Sequence, residues 1–598
     1  MLNFKPNLIA GLFLGAMAVL MFFSSLGDSA TMDELAHIPA GFSYLTQKDH
    51  RLNPEHPPLI KDLSAIPLLF LNLNFPTNIK AWADDINGQW DMGRIFLYES
   101  GNNPDRILFW SRLPMMILAL IFGWLFFNWV KKIYGNKVGL IALFFFSFSP
   151  TIIAHSRYVT TDLAASFGFF IGIAAFIRFL EKQTINRIIL AGLAVGGALL
   201  LKFSVILLIP FCLLFGFLWL ILANFDQFEF RAFCLKKLKM LAEIAAIFLI
   251  AALCVYLVYL FHVWNYPQER QVRDTNFILT SFGFRPAADL TVAMAKNSIL
   301  RPIAQYLLGL LMVIQRSAGG NTTYFLGEVS AGGWWYYFPT AYLLKEPLAF
   351  LIFAGLALIL ALKAIKNSGE KTFAAAAEWM RGNFALSAGM IFIAGYWLIS
   401  IRSPLNIGIR HVMPTYPFIY FLISRQIVRW FHFSAFPDPQ NFREWLRTLY
   451  ERYVKALPKY VLMTFLFIWL VLSAVIAFPN YLSYYNELGG GLRNGFKYIV
   501  DSNYDWGQDL RRLQNFVQKN KIEKIAVDYF GGGEPSFYLG NQFQPWWSGR
   551  GKPDPDKGDP EWLAVSATLR QGAENSYLWL RDYEPVARAG YSIFIYKF

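Results

Sequence analysis

Long runs without charge constrain this chain more than any other feature. Leu8–Gly27 contains no Asp, Glu, Lys or Arg. A hydrocarbon core about 30 Å thick needs about 20 apolar residues at 1.5 Å per residue. Backbone in lipid must also satisfy its own hydrogen bonds, so such a run reads as a membrane-crossing helix. Ten further runs follow, at 108–130, 138–154, 163–180, 188–201, 203–224, 241–262, 342–362, 384–400, 413–427 and 460–479. The first lacks the small-residue cleavage site of a secretory signal. Composition agrees: of 598 residues 56% are hydrophobic and 16% charged, against about 25% charged in soluble chains. Three cysteines exclude a disulfide scaffold and a multi-cysteine zinc site. An all-α integral membrane protein with about eleven spans is expected.

The net charge of +14 raises nucleic acid as a partner, but its placement along the chain excludes that. With the N-terminus cytoplasmic, the inner loops hold Lys131, Lys132, Lys137, Arg178, Lys182, Arg187, Lys363, Lys366 and Lys371, among others, and the basic stretch 425–459. The short outer loops have only Arg157, Lys202, Arg402 and Arg410. This asymmetry is the positive-inside pattern. It puts residues 28–107, 263–341 and 480–598 outside. The tail 480–598 is richer in Gly, Pro, Asp and Asn and reads as a small α/β domain, so the expected division is 1–479 and 480–598. Within the tail a helical pattern over 505–519 precedes a strand at 524–529, and 591–596 alternates like a final strand. A multi-spanning transporter or flippase is the rival reading. It would carry ionisable groups at mid-span and short external loops, or paired broken helices, and neither pattern is present.

The first external segment concentrates chemistry. Residues 28–107 contain eleven acids and six bases, and Asp33-Glu34 with His37 follows directly on the first span. Such a carboxylate pair can take a proton from a hydroxyl nucleophile. It also fits the acidic first turn of a solvated helix, which the helix dipole favours. Further on, His56-Pro-Pro-Leu-Ile-Lys61 leads into an apolar run, 63–73, too short to span. That run is expected to lie along the membrane surface, with His56 and Lys61 aimed at the interface.

Taken in order, Asp33-Glu34-x-x-His37, Gly41-Phe-x-Tyr44 and His56-Pro-Pro-Leu-x-Lys61 resemble the protein O-mannosyltransferases and the related aminoarabinose transferases. Both are GT-C glycosyltransferases. Arg112 just inside the second span, and Ser156-Arg157-Tyr158-Val-Thr-Thr-Asp162 after the third, continue the resemblance. It covers residues 1–225 well and the remaining spans loosely. His56 stands where the aminoarabinose transferases usually have Lys. The resemblance implies a polyprenyl-phosphate sugar donor and an external active site. It makes Asp33 the catalytic base, with Glu34 and Asp162 assisting. It also implies a protein, lipid or glycan acceptor. The missing inserted domain of the eukaryotic enzymes points to a bacterial inner membrane.

A departing phosphate is served better by positive charge than by a general acid. Arg112 is the first candidate to hold it, then Arg410 beside His411, and Lys202; His56 and Lys61 complete the set. Each has a plainer reading, Lys202 as a snorkelling side chain and Arg410 as an interfacial anchor. The aromatic stretch 332–339 reads as an interfacial belt. Asp501–Asp509 alternates Asp and Asn like a calcium loop, but its sixth position is Trp506 and its twelfth Arg512. A capped helix start with a buried Trp506, facing the acceptor, is expected instead. No cofactor is implied, and a divalent ion at Asp33, Glu34 and Asp162 is not favoured.

Overall fold

The computed structural model describes residues 5–223, 230–367, 372–431, 441–450, 454, 456–572 and 576–598. Lys371 and part of the basic stretch 425–459 lie outside these. Among the described residues eight helices are long and apolar enough to cross a membrane: Pro6–Ser25, Pro104–Tyr134, Asp162–Glu181, Phe203–Leu222, Lys237–His262, Leu348–Asn367, Phe384–Arg402 and Leu457–Ala477. Three of the eleven expected spans are shorter helices, Asn136–Ser147, Ile185–Leu199 and Tyr416–Phe431. The expected span 138–154 breaks because Ser149 caps a new helix, Pro150–His155, through the Ile152 N–H. Twelve residues cover about 18 Å, well short of a bilayer core. The span expected from 413 starts at Tyr416, after a 3-10 turn, Ile409–Thr415, that contains Pro414. The span expected from 342 starts at Leu348. There Glu346 is extended ahead of Pro347 and ends a separate helix, Tyr337–Lys345.

The spans pack through aromatic edges. Phe122, Phe126, Phe146 and Phe170 form one interlocking group between helices. Gly192 and Gly196 let Ile185–Leu199 lie close against Lys237–His262. A Cβ on Gly192 would meet Ile250 at 2.6 Å, and one on Gly196 would meet Cys254 at 2.8 Å.

Residues 28–107 are mostly helical. The helix Met32–Gln47 begins with a capping box of Thr31 and Glu34. The expected surface run contains a 3-10 helix, Ile66–Phe70, with Phe70 84% exposed. Residues 263–341 form three helices, Gln268–Ile278, Arg285–Ala295 and Arg301–Gly319, then a hairpin of β1 (Thr323–Phe325) and β2 (Glu328–Ser330).

The tail carries a five-stranded mixed sheet of β3 (Ile525–Asp528), β4 (Phe543–Pro545), β5 (Trp562–Ser566), β6 (Ala587–Ala589) and β7 (Ile593–Lys597), in the order β4-β3-β5-β7-β6. β3 runs parallel to β4 and β5, and β7 antiparallel to β5 and β6. The expected helix from 505 starts only at Leu510. The residues before it form a loop, with Gly507 at a positive φ of 95°, that runs along the chain just ahead of Met32. Ser29 N–H donates to Gln508 O at 3.0 Å, Ser29 Oγ to Gly507 O at 2.7 Å, and Gly532 N–H to Ala30 O at 3.2 Å.

Candidate active site

Four candidate residues from separate parts of the chain form one alternating row. Arg410 Nη1 lies 2.9 Å from Asp33 Oδ2 and 3.2 Å from Asp162 Oδ2, and Lys202 Nζ lies 2.6 Å from Asp162 Oδ1. Local sequence places each member. Asp33 sits in the first turn opened by the Thr31–Glu34 box, and Asp162 opens a spanning helix. Lys202 occupies the extended residue between Leu200 and the 3-10 turn from Phe203, and Arg410 lies in the 3-10 turn ahead of Tyr416. The middle of the row is closed and its ends are open. Side-chain exposure is 1% at Asp162 and 9% at Arg410, but 25% at Asp33 and 15% at Lys202. Among the described residues Asp33 Oδ1 has no partner, Arg410 Nε is buried without one, and Lys202 has only Asp162. Burial works against the Arg410 charge, but Asp162 and Asp33 outweigh it and raise its pKa.

Arg112 is not in this row. Its Nε and Nη2 grip Glu34 at 2.8 and 2.7 Å. Its remaining donors reach the carbonyls of Ser25, Asp28 and Ser29. A guanidinium has five N–H groups, and all five are engaged, so none is left for a phosphate. Glu34 is equally occupied, accepting from Thr31 and from Val159 N–H as well. The pair locks the helix Met32–Gln47 to the second span and to the loop before Asp162.

Lys61 is also enclosed. Its Nζ reaches Tyr44 OH, Asn53 O, Asn53 Oδ1 and His56 O at 2.8 to 2.9 Å. Burial brings its pKa down to about 7, against the pull of Glu55 and Asp62. Arg157 lies between Asp28 Oδ2, at 2.7 Å, and Ser24 O, at 2.6 Å. Burial pushes Asp28 up, but Arg157, Arg512 and Arg112 hold it below the usual carboxylate range.

Among the candidate histidines, His37 is buried and His56 and His411 are half-buried. Burial lowers the pKa of His37, His56 and His411. His37 Nδ1–H donates to Val159 O at 2.8 Å, which leaves Nε2 as an acceptor. Its ring meets His56 edge-on at 5.0 Å, and His56 Nδ1 is buried without a partner. Lys202, Arg410 and Asp162 are among the charges facing His411.

Two residues near the row were not among the candidate site residues. The Trp506 ring lies 4.2 Å from the Arg410 guanidinium carbon, and Asn503 Oδ1 accepts the Ile409 N–H at 2.9 Å. Both belong to the segment 501–509, expected as a capped helix start with a buried Trp506 facing the acceptor. No group of three or more His, Cys, Asp or Glu converges among the described residues. Asp33 and Asp162 do not fit a divalent ion, because Arg410 stands between them. A cleft of about 460 Å³ lined by Asp84, Asp85, Trp90, Asp91 and Phe277 contains none of the candidate residues.

Residues 107–256 match the family of dolichyl-phosphate-mannose-protein mannosyltransferases. That stretch is related to lipid-phosphate-dependent glycosyltransferases. It contains Arg112, Arg157, Asp162 and Lys202, and it bears out the resemblance read from the motifs. No curated protein matches the chain in sequence. Among solved structures, ArnT from Cupriavidus metallidurans bound to undecaprenyl phosphate is 13% identical, with 98% of this chain and 97% of that one covered and a TM-score of 0.45. AglB from Archaeoglobus fulgidus, in complex with an inhibitory peptide and a dolichol-phosphate, is 12% identical over 95% and 70%, with a TM-score of 0.46. The Pmt1-Pmt2 complex of S. cerevisiae bound to its sugar donor is 17% identical over 44% and 34%, with a TM-score of 0.34. None of these likenesses carries a residue-by-residue correspondence.

Proposed function

We propose that the protein is an inverting glycosyltransferase that moves a sugar from a polyprenyl-phosphate carrier to an acceptor hydroxyl at the extracytoplasmic membrane boundary. The observation that carries this reading is the row Asp33–Arg410–Asp162–Lys202, half-open at both ends. Asp33 Oδ1 takes the hydroxyl proton while the hydroxyl oxygen bonds to the anomeric carbon. The bond from that carbon to the phosphate oxygen breaks on the opposite face, and the phosphate keeps the electron pair. Lys202 and the guanidinium of Arg410, whose Nη2 is unpaired among the described residues, receive the charge, one as a point charge and one as a planar group. Asp162 holds the two cations in place. Glu34 and Arg112 fix the helix that bears Asp33, and burial disfavours a charge on His56 and His411.

The family match over 107–256 supports a lipid-phosphate donor. Protein, lipid and glycan hydroxyls all suit the base. We assign the N-terminus to the cytoplasm of a bacterial inner membrane, and the tail 480–598 with the active site to the periplasm, from the Lys and Arg asymmetry. The test is transfer of radiolabelled sugar from undecaprenyl-phosphate-linked donors by the purified protein in nanodiscs, assayed beside Asp33→Asn. Transfer by the wild type and its loss in the variant is the expected result; equal transfer by both would refute the assignment of the base.

A further inference from the structure

Arg410 must hold two carboxylates and still present donors to a leaving group, yet hydrogen bonds alone do not fix its plane. Only Nη1 reaches Asp33 and Asp162, and Nε is buried without a partner. A long side chain tethered at one nitrogen can swing about that contact. What covers its face is Trp506, 4.2 Å from the guanidinium carbon and fully buried, with His155 against the indole at 5.9 Å.

The same loop grips the backbone on both sides of the row. Asn503 Oδ1 takes the Ile409 N–H at 2.9 Å, and Ser502 Oγ donates to Ile407 O at 3.1 Å. The approach is close enough that a Cβ on Gly408 would lie 2.5 Å from Ser502 Oγ. Asn503 is itself anchored, its Nδ2 on Tyr337 OH at 3.1 Å and its carbonyl receiving Lys345 Nζ at 2.7 Å. At the other end, Trp506 O accepts the Met32 N–H, next to Asp33.

We propose that Trp506 and Asn503 are positioning residues for Arg410 and Asp33, so that the C-terminal domain completes the active centre and is not an appendage to it. This rests on the proposed roles of Asp33 and Arg410. A planar cation over an indole face is attracted by the ring quadrupole, most strongly where water is excluded. Here that contact sets the plane of the fork, while the Asn503 bond sets the backbone from which it projects.

The full-length protein in nanodiscs provides the test, through two independent readouts. The first is the rate at which phenylglyoxal modifies Arg410, followed by peptide mass spectrometry, which needs no activity. The second is kcat and KM for donor and acceptor. Trp506→Leu is expected to speed Arg410 modification about tenfold and to lower kcat on the order of 10²-fold, the scale of a 1 Å misplacement, with the acceptor KM little changed. Trp506→Phe keeps an aromatic face and is expected to restore most of both. Asn503→Ala provides a second route should Trp506→Leu fail to fold, with faster modification and lower kcat again expected. Trp562→Leu, in β5 beside Phe516 and Lys597, loosens the tail without touching the row and is expected to leave Arg410 protection intact. Unchanged protection in folded Trp506→Leu, or equal deprotection by Trp562→Leu, would overturn the proposal. If protection follows Trp506 but the wild type transfers no sugar from any polyprenyl-phosphate donor, the functional reading fails and the brace stands.

Discussion

The backbone N–H of Met32 donates to the carbonyl of Trp506 at 3.0 Å, one residue before Asp33. Trp506 thus holds the residue before Asp33 through the backbone and Arg410 through its ring. A net hydrogen bond is worth only about 1 kcal/mol, so this contact contributes placement more than stability. Its neighbours reinforce it. Asp28 binds Arg512 at 2.7 Å, Arg512 also pairs with Asp509, and Asp509 Oδ2 accepts from Ser592 Oγ at 2.8 Å.

Replacing Asp33 by Asn preserves shape and removes the proposed base. Turnover is expected to fall on the order of 10²- to 10⁴-fold, with an unchanged size-exclusion profile. Single-turnover rates from labelled donor measure it directly.

Lys202 and Arg410 are expected to separate in a donor titration. Lys202→Ala removes the half-buried point charge and should raise the donor KM more than the acceptor KM. Arg410→Lys keeps charge but loses the fork, so kcat should fall even at saturating donor. Equal effects on both substrates would count against a phosphate role for either residue.

Arg112 was expected at the phosphate, and its five engaged donors give it a different part. Arg112→Ala leaves Glu34 buried without its cation, a change that costs about 3–5 kcal/mol when a buried pair is broken. Thermal unfolding in detergent should show a large loss of stability. The molecules that remain folded at low temperature should keep a normal donor KM, and a selective rise in that KM would return Arg112 to the site.

The span pattern was legible because lipid tolerates only self-satisfied backbone, and the apolar runs mark it plainly. Three of the four shortened or shifted spans turn on Pro150, Pro347 and Pro414, which are visible in the sequence, although what each does depends on its neighbours. Asp33, Asp162, Lys202 and Arg410 were each recognisable as candidates. Their convergence was not, since Asp33 and Arg410 are 377 positions apart. Arg112 was misleading for the same reason. A cation near a membrane boundary looks available until its partner is known, and Glu34 lies 78 positions away. Trp506 was expected only as a buried residue in a segment facing the acceptor, because an indole serving a guanidinium reads the same as an indole in a core.

Asp505 provides a pH dependence outside the row. Burial pushes its carboxyl up to about 7, with Asp509 adding to the shift and the Thr568 N–H opposing it. The ordinary value for an aspartate is 3.8. Between those values the folded state binds more protons than the unfolded one, so stability falls as pH rises through that window. Asp505→Asn is expected to flatten that part of the curve. Differential scanning fluorimetry at pH 5 and pH 7.5 tests this; an identical slope in the variant would remove Asp505 as its source.

The stitching of residues 28–32 to residues 506–510 also has a consequence for biosynthesis. Ser29 and Gly507, bonded side chain to carbonyl, are 478 residues apart. The ribosome therefore inserts every spanning helix before the groups that hold Asp33 and Arg410 in register have been made. A chain interrupted after its last span would sit in the bilayer with its motifs intact and its centre unassembled. Register between Asp33 and Arg410 thus waits on residues 502–510, which follow the last spanning helix, Leu457–Ala477.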